Sequence, residues 1–283
     1  MRAGSTFLRS YFSQHPQIAW TRRAWRLQLG QSDQERRRDY CRAFQFCDPG
    51  RCLIDMYEGL CLGQYFKVDL DGNWMNRQTP VWSPDWAMAP EGQLRSGPVA
   101  VDPAEIARRI RDCVPKGKVL LVLRNQVDWL RSMYVHYLNH LPPRQRRFSD
   151  FLNTREGKSA LDAGLFDRML GALFRTFKRD RVHVMLLEAL ARDEEASLRD
   201  LCRFLEVDYH PCDSSQLQRN GQRGDAISAA RGRLWGALAR LGWKQIDVLR
   251  REEKAFLRAF YSASNARTAQ LLSLDLSEYG YPG

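Results

Sequence analysis

Residues 118–140 read KVLLVLRNQVDWLRSMYVHYLNH and join an apolar run to an amphipathic segment with no proline or glycine between them. The run Val119–Leu123 is unbroken, which is typical of a strand buried on both faces in a parallel sheet. Asn125 and Asp128 have the spacing of a capping box, so a helix is predicted to follow at once. Arg124 lies at the strand end, where open α/β sheets bind ligands and a helix N-terminus favours anions.

The predicted helix carries a hydroxyl group, Ser132, eight positions after Arg124 and on the same side as Asn125. The helix should run to about residue 139 and stop before the prolines at 142 and 143. An arginine and a hydroxyl arranged in this way predict an anion site. The residues alone leave a simpler interpretation open, in which Arg124 pairs with a nearby carboxylate and Ser132 is a tolerated helix residue.

The N-terminal segment MRAGSTFLRSYFSQHP combines a glycine turn with a predicted helix. Gly4 supplies the turn, and Ser5 and Thr6 supply hydroxyl groups that cap helices. Four residues at helical spacing form the apolar face: Phe7, Leu8, Tyr11 and Phe12. Such a turn directs free N–H groups at an anion, and Arg2 adds positive charge. The segment lacks the G-x-x-x-x-G-K-[ST] pattern of P-loop ATPases and, taken alone, also fits a capped surface helix.

Together the two segments resemble the nucleotide-binding motifs of the sulfotransferases that use 3′-phosphoadenosine 5′-phosphosulfate. Arg124 and Ser132 have the spacing of the arginine and serine that hold the 3′-phosphate in that family, although Gln126 stands where the family often has proline. The sequence Arg-Ala-Gly-Ser-Thr resembles the family's 5′-phosphosulfate loop, (Lys/Arg)-x-Gly-(Ser/Thr)-Thr. The family has a hydrophobic strand before this loop, where only Met1 stands here, so we expect the true start to lie upstream.

The resemblance implies roles for individual residues. Arg2 would stabilise the leaving group, and Glu58, at the end of a predicted strand in a stretch similar to bacterial members, would be the catalytic base. His15 and His136 are further candidate bases. The residues that the resemblance assigns to the donor nucleotide are Arg2, Ala3, Gly4, Ser5, Thr6, Phe7, Arg124, Ser132 and Arg223. The co-substrate would be 3′-phosphoadenosine 5′-phosphosulfate, and the resemblance implies no metal.

The order of predicted elements indicates the fold class. Apolar runs at 51–57 and 181–187 predict further strands, and strands alternate with helices from 118 to 206, as in a parallel α/β sheet with right-handed crossovers. The resemblance extends this to a P-loop-NTPase-like central sheet flanked by helices, with one domain over residues 1–283 and a helical C-terminal part. The phrase Tyr279-Gly280-Tyr281 resembles the end of many bacterial sulfotransferase domains.

The composition indicates what class of chain this is and in which cellular compartment it is expected. An apolar fraction of 44% and a charged fraction of 27% are those of an ordinary globular chain. The seven cysteines include no CxxC pair, which favours reduced thiols in a cytosolic protein rather than a zinc site. No stretch approaches the about 20 apolar residues that span a bilayer, and there is no signal-peptide core, so we predict a cytoplasmic location.

The formal net charge of +11 keeps other functions open. Such a surface attracts anionic partners, including membranes, to which peripheral contact is allowed. One alternative is a non-catalytic basic module that binds nucleic acid or an anionic polymer, although no nucleic-acid motif is present. A second is a nucleotide-dependent kinase, against which stands the missing Walker lysine pattern. For the sulfotransferase, tryptophans in the loop-like stretch 63–103 favour a small-molecule or glycan acceptor, such as a carbohydrate or glycolipid.

Overall fold

Parallel strands and helices alternate along the parts of the chain that the structure, a computed structural model, describes. These parts are residues 5–21, 52–55, 102–113, 115–138, 147–153, 155–211 and 247–283. The strands are β1 (Ile18–Thr21), β2 (Cys52–Asp55), β3 (Val119–Leu123) and β4 (Val182–Leu186). The helices are α1 (Ser5–Gln14), α2 (Pro103–Cys113), α3 (Gln126–Leu138), α4 (Phe148–Asn153), α5 (Arg155–Ala163), α6 (Phe166–Thr176), α7 (Leu187–Arg192), α8 (Glu194–Leu205) and α9 (Arg251–Leu272). Short 3₁₀ helices lie at Arg179–Arg181 and Leu276–Tyr279.

The strands β3 and β4 form a parallel pair, in which Val119 lies opposite Val182 and Leu123 opposite Leu186. Parallel neighbours need a long crossover, and helices α3 to α6 supply it. The apolar runs predicted at 119–123 and 181–187 are therefore both strands, and the predicted α/β class with a parallel sheet and flanking helices is confirmed. Because the strands are parallel, their carboxyl ends meet at one edge of the sheet.

A second parallel pair joins β1 to β2, with Ile18 opposite Cys52. Strand β2 lies within the run predicted at 51–57, whereas the sequence pattern does not predict β1. The four residues of β1 are too few to show a hydrophobic periodicity, and they form a strand because they pair with β2. Ile18 and Met185 of β4 are buried in one core cluster with residues of α1 and α8, so the two strand pairs share a core.

The C-terminal residues fold back onto the β3–β4 pair. Leu276 and Tyr281 are buried in the core cluster that contains Leu121, Leu123 and Leu186. Together with α9 they confirm the predicted helical C-terminal part. Among the described helices, none combines the length and the apolarity that crossing a membrane requires. The single domain over residues 1–283 stays a prediction.

Candidate functional site

The turn between β3 and α3 consists of Arg124 and Asn125. Asn125 is the helix N-cap, because its Oδ1 accepts hydrogen bonds from the backbone N–H groups of Val127, at 3.0 Å, and Asp128, at 3.4 Å. This confirms the predicted cap and helix start. The arginine thus leaves the strand directly beside the positive end of a 13-residue helix.

The predicted capping box between Asn125 and Asp128 is half formed: Oδ1 of Asn125 accepts from the N–H of Asp128, but the N–H of Asn125 has a different acceptor. The backbone N–H of Asn125 donates to Oε1 of Glu188 at 2.8 Å, while Oδ1 of Asp128 lies 3.1 Å from Nη2 of Arg131. The reason is the strand register: Asn125 and Glu188 each follow their strand end by two positions, so they come side by side. The helix that follows the neighbouring strand thus supplies, through Glu188, the acceptor that the helix pattern assigns to Asp128.

Helix α3 has one buried side and one partly exposed side. Its apolar residues Val127, Leu130, Tyr134 and Leu138 are buried, the first and last at 8% exposure. The partly exposed positions recur at helical spacing, and they are Asp128, Arg131, Ser132 and Val135. Ser132 is therefore on the accessible side of the helix, about two turns beyond the N-cap. The joint binding of a phosphate by Arg124 and Ser132 stays a prediction.

The C-terminal segment contacts the same turn. Nδ2 of Asn125 donates to the carbonyl oxygen of Gly280, and the hydroxyl of Tyr281 donates to Oε2 of Glu188 at 2.9 Å. Burial and the Glu188 carboxylate raise the pKa of the Tyr281 phenol, whereas the Arg124 guanidinium acts in the opposite direction. Sequence reasoning missed Glu188 and gave Tyr281 no role. The signal that could have found Glu188 is its position at a neighbouring strand end.

The departure at Gln126 has a structural explanation. The side chain is fully buried and its Nε2 donates to Oδ1 of Asn265 and, at 3.2 Å, to the carbonyl oxygen of Gly164. Asn265 in turn donates from Nδ2 to the carbonyl oxygen of Pro282 at 2.8 Å. Gln126 therefore links the first turn of α3 to α9 and to the C-terminal segment, which a proline could not do.

The N-terminal loop is described from its helical end onward. Arg2, Ala3 and Gly4 lie outside the described residues, while Ser5 and Thr6 are the first residues of α1, the helix predicted to follow the turn. The Phe7 side chain is 9% exposed and belongs to the core, so a ligand at the helix N-terminus would meet its backbone N–H rather than its ring. The binding of an anion by this turn stays a prediction.

His15, a candidate base from sequence, is held by structural contacts in the core. The side chain is 3% exposed, and Nε2 hydrogen-bonds the carbonyl oxygen of Asp208 at 3.0 Å. Nδ1 accepts from the backbone N–H of Gln17 at 3.2 Å, so both ring nitrogens have structural partners. Burial also lowers the pKa of the His15 imidazole, which favours this neutral form.

Other predicted site residues have no described side chain. Glu58 and Arg223 lie outside the described residues, and of His136 only the backbone, in α3, is described. In the described ranges, no group of three or more His, Cys, Asp or Glu side chains could hold a metal ion. Cys52 and Cys202 are free thiols.

A comparison with protein families identifies one family, and a comparison with solved structures finds a similar fold. The model of a family described as "Sulfotransferase family" matches residues 1–211, a range that contains both the N-terminal loop and the turn before α3. The structure is similar to the crystal structure of a sulfotransferase from Alicyclobacillus acidocaldarius, with a TM-score of 0.56 and 19% sequence identity over 99% of this chain and 95% of that one. At this identity the likeness shows the fold alone. No curated protein matches the chain.

Proposed function

The chain belongs to the sulfotransferase family, whose members transfer sulfuryl groups, and we propose that its donor is 3′-phosphoadenosine 5′-phosphosulfate. The observation that carries this proposal is the turn at the end of β3, where Arg124 precedes the N-cap of α3 and Ser132 follows on the accessible side of the helix. A permanently charged guanidinium, a helix N-terminus and a hydroxyl form a suitable set of donors for a phosphate dianion.

We propose that Arg124 and Ser132 bind the 3′-phosphate of the donor. This group distinguishes the donor from ATP, so its recognition would give the enzyme its nucleotide preference. Arg124 supplies a charge that no change of pH in the physiological range removes. Ser132 supplies a hydroxyl donor from one side, and the direction of the helix dipole favours the negative charge.

The 5′-phosphosulfate would bind at the N-terminal motif, which leads into α1. The first N–H groups of α1, from Ser5, Thr6 and Phe7, have no acceptor within the helix and suit an anion. Ala3 and Gly4 would complete the loop, Arg2 would stabilise charge, and Arg223 would add a contact to the nucleotide. These assignments follow from the family motif.

In the proposed reaction Glu58 accepts the proton of the acceptor hydroxyl or amine as its oxygen or nitrogen attacks the sulfur atom. The bond from sulfur to the bridging oxygen of the 5′-phosphate breaks, and that oxygen keeps the electron pair. The products are the sulfated acceptor and adenosine 3′,5′-bisphosphate. The protein's contribution is to align the partners in line and to stabilise the charge on the leaving oxygen, for which Arg2 is the candidate.

We propose a carbohydrate or glycolipid as the acceptor. The support comes from the sequence, since Trp74, Trp82 and Trp86 lie in one Gly- and Pro-rich stretch and flat aromatic side chains stack on sugar rings. These tryptophans lie outside the described residues. A screen of sulfate incorporation from radiolabelled donor into sugars, glycolipids and phenols would identify the acceptor class.

Calorimetric titration tests the donor site. Wild-type protein should bind adenosine 3′,5′-bisphosphate more tightly than adenosine 5′-phosphate, and Arg124→Ala should lose about tenfold to a hundredfold of affinity for the bisphosphate alone, as expected for a charged hydrogen bond. Equal binding of both nucleotides by the wild type would contradict the proposal, and a preference for ATP would favour a kinase.

The matched control is Arg203→Ala, which removes the same charge from an exposed ion pair with Asp200. Arg203 lies on α8, whose last turn receives a hydrogen bond from Lys118 at the amino end of β3, so it is at the other end of the strand from Arg124. This variant should bind both nucleotides like the wild type.

A further inference from the structure

Glu188 is a carboxylate at a turn that we assign to phosphate binding, which by charge alone is unfavourable. Its two oxygens are each engaged by a donor from a different part of the chain. Oε1 accepts from the backbone N–H of Asn125 at 2.8 Å, and Oε2 accepts from the hydroxyl of Tyr281 at 2.9 Å. The carboxylate therefore connects the β3–α3 turn, the first turn of α7 and the C-terminal segment.

A second contact joins the same turn to the same segment. The side chain of Asn125 donates from Nδ2 to the carbonyl oxygen of Gly280, while its Oδ1 caps α3. Asn125 is 9% exposed, so its amide and its N–H are fixed by partners on both sides. The residue that follows Arg124 is thus held by two segments distant in sequence.

The C-terminal segment is itself well fixed. Gly280 has a φ of 74°, a conformation that suits glycine, and it reverses the chain after the 3₁₀ helix Leu276–Tyr279. The backbone N–H of Tyr281 donates to the carbonyl oxygen of Leu276 at 3.2 Å, and the Tyr281 ring is 3% exposed beneath the β3–β4 pair. The Tyr281 hydroxyl is therefore held next to Glu188 by a segment that is buried and hydrogen-bonded within itself.

We propose that Glu188 and Tyr281 are positioning residues for recognition of the 3′-phosphate. They hold the Arg124–Asn125 turn in the geometry that binds the phosphate, and they make that geometry depend on the C-terminal segment. This inference rests on the proposed donor site. Neither residue needs to touch the nucleotide, because both act through Asn125.

The first test removes one hydroxyl. In Tyr281→Phe, Oε2 of Glu188 loses its buried donor, and the affinity for adenosine 3′,5′-bisphosphate should fall about fivefold to thirtyfold. The affinity for adenosine 5′-phosphate should change less than about twofold, since that nucleotide lacks the recognised group. The ratio of the two affinities, measured by calorimetry, is therefore the readout, and a purely structural role would leave it unchanged.

Tyr261→Phe is the matched control. Tyr261 is also buried, and its hydroxyl donates to the carbonyl oxygen of Leu161 at 2.8 Å, away from Glu188. Its loss should lower the melting temperature as Tyr281→Phe does, without changing the preference for the 3′-phosphate. An equal loss of preference in both variants would show that general destabilisation is the cause, and would overturn the inference.

The second test separates the hydrogen-bonding geometry of Glu188 from its negative charge. In Glu188→Gln the amide oxygen can accept from Asn125 and the amide nitrogen can donate to the Tyr281 oxygen, so the geometry is kept and a negative charge is removed. This variant should bind the bisphosphate at least as tightly as the wild type. Glu188→Ala should lose about as much affinity as Tyr281→Phe.

The outcomes distinguish a failure of the proposed donor site from a failure of the positioning role of Glu188 and Tyr281. A wild type without preference for the 3′-phosphate overturns the donor site and the inference together. A wild type with that preference, retained in both Tyr281→Phe and Glu188→Ala, overturns the inference alone. If Glu188→Gln binds the bisphosphate as weakly as Glu188→Ala, the inference is also overturned, since the effect of Glu188 would then depend on its charge and not on its hydrogen bonds.

Discussion

One buried amide, that of Gln126, connects the first turn of α3 to α9. It pairs reciprocally with Asn265, whose Nδ2 donates back to Oε1 of Gln126 at 3.3 Å. Both side chains are almost completely shielded from water, so each depends on the other to satisfy its polar atoms. At the residue scale, this is where the chain departs from the family motif and compensates for the departure.

Replacing Gln126 by alanine should lower the free energy of unfolding by about 1–3 kcal/mol, because Asn265 is left with unpaired buried groups. Gln126→Pro should cost about 0.5 kcal/mol less than the alanine change, because proline suits the first position of a helix and restricts the unfolded chain. Urea unfolding measures both. Asn265→Ala should cost less in the Gln126→Ala background than in the wild type, and full additivity would contradict the pairing.

At the scale of elements, Asp247 joins α3 to α9. Its Oδ2 lies 3.1 Å from Nη1 of Arg131 and 2.8 Å from Nζ of Lys254. Burial alone would raise the pKa of the Asp247 carboxyl, but the hydrogen bond from Lys254 and the charge of Arg131 outweigh it and lower that pKa. The ionised carboxylate therefore stabilises the packing of the two helices.

Asp247→Asn should lower the free energy of unfolding by about 1 kcal/mol near neutral pH. Because the pKa is lower in the folded state, this contribution is complete above the unfolded pKa of about 3.9 and is lost as the pH falls through the folded value. The urea midpoints of variant and wild type should thus differ at about pH 7 and converge as the pH falls below the folded pKa of Asp247. A difference that persists in acid would mean that the amide disturbs packing instead.

The elements that sequence could predict are those whose cause is local. The apolar run of β3 and the cap of α3 by Asn125 depend on neighbours in sequence, and both are confirmed. The strand β1 and the partner of the Asn125 N–H depend on other strands, which no local pattern contains. For the same reason the sequence showed Gln126 as a departure but could not show Asn265, 139 positions away, as its explanation.

At the scale of the whole molecule, the formal net charge of +11 attracts any polyanion. Such attraction is spread over many weak contacts and is screened by salt over about 10 Å at 0.1 M. The proposed donor site differs from such a surface, because its groups lie at a strand end and a helix N-terminus, next to the hydrogen bonds of Glu188 with Asn125 and Tyr281. Salt should separate the two modes of binding.

Raising sodium chloride from about 0.05 M to about 0.5 M should weaken binding of a sulfated dextran by about a hundredfold or more, since many charges are involved. Binding of adenosine 3′,5′-bisphosphate should weaken less than about tenfold and keep its preference over adenosine 5′-phosphate. Fluorescence anisotropy with labelled ligands measures both. If nucleotide binding vanished together with polymer binding, the non-catalytic basic module would be favoured.

The contact of Gly280 with Asn125 spans 155 positions of sequence, and that of Tyr281 with Glu188 spans 93. During synthesis the β3–β4 pair and α3 leave the ribosome well before residues 276–282 do. The turn that carries Arg124 is then present without its contacts to Gly280 and Tyr281. Its final geometry forms only when residues 276–282 pack against it. The order of translation thus lets this corner mature only after residues 276–282 have been made.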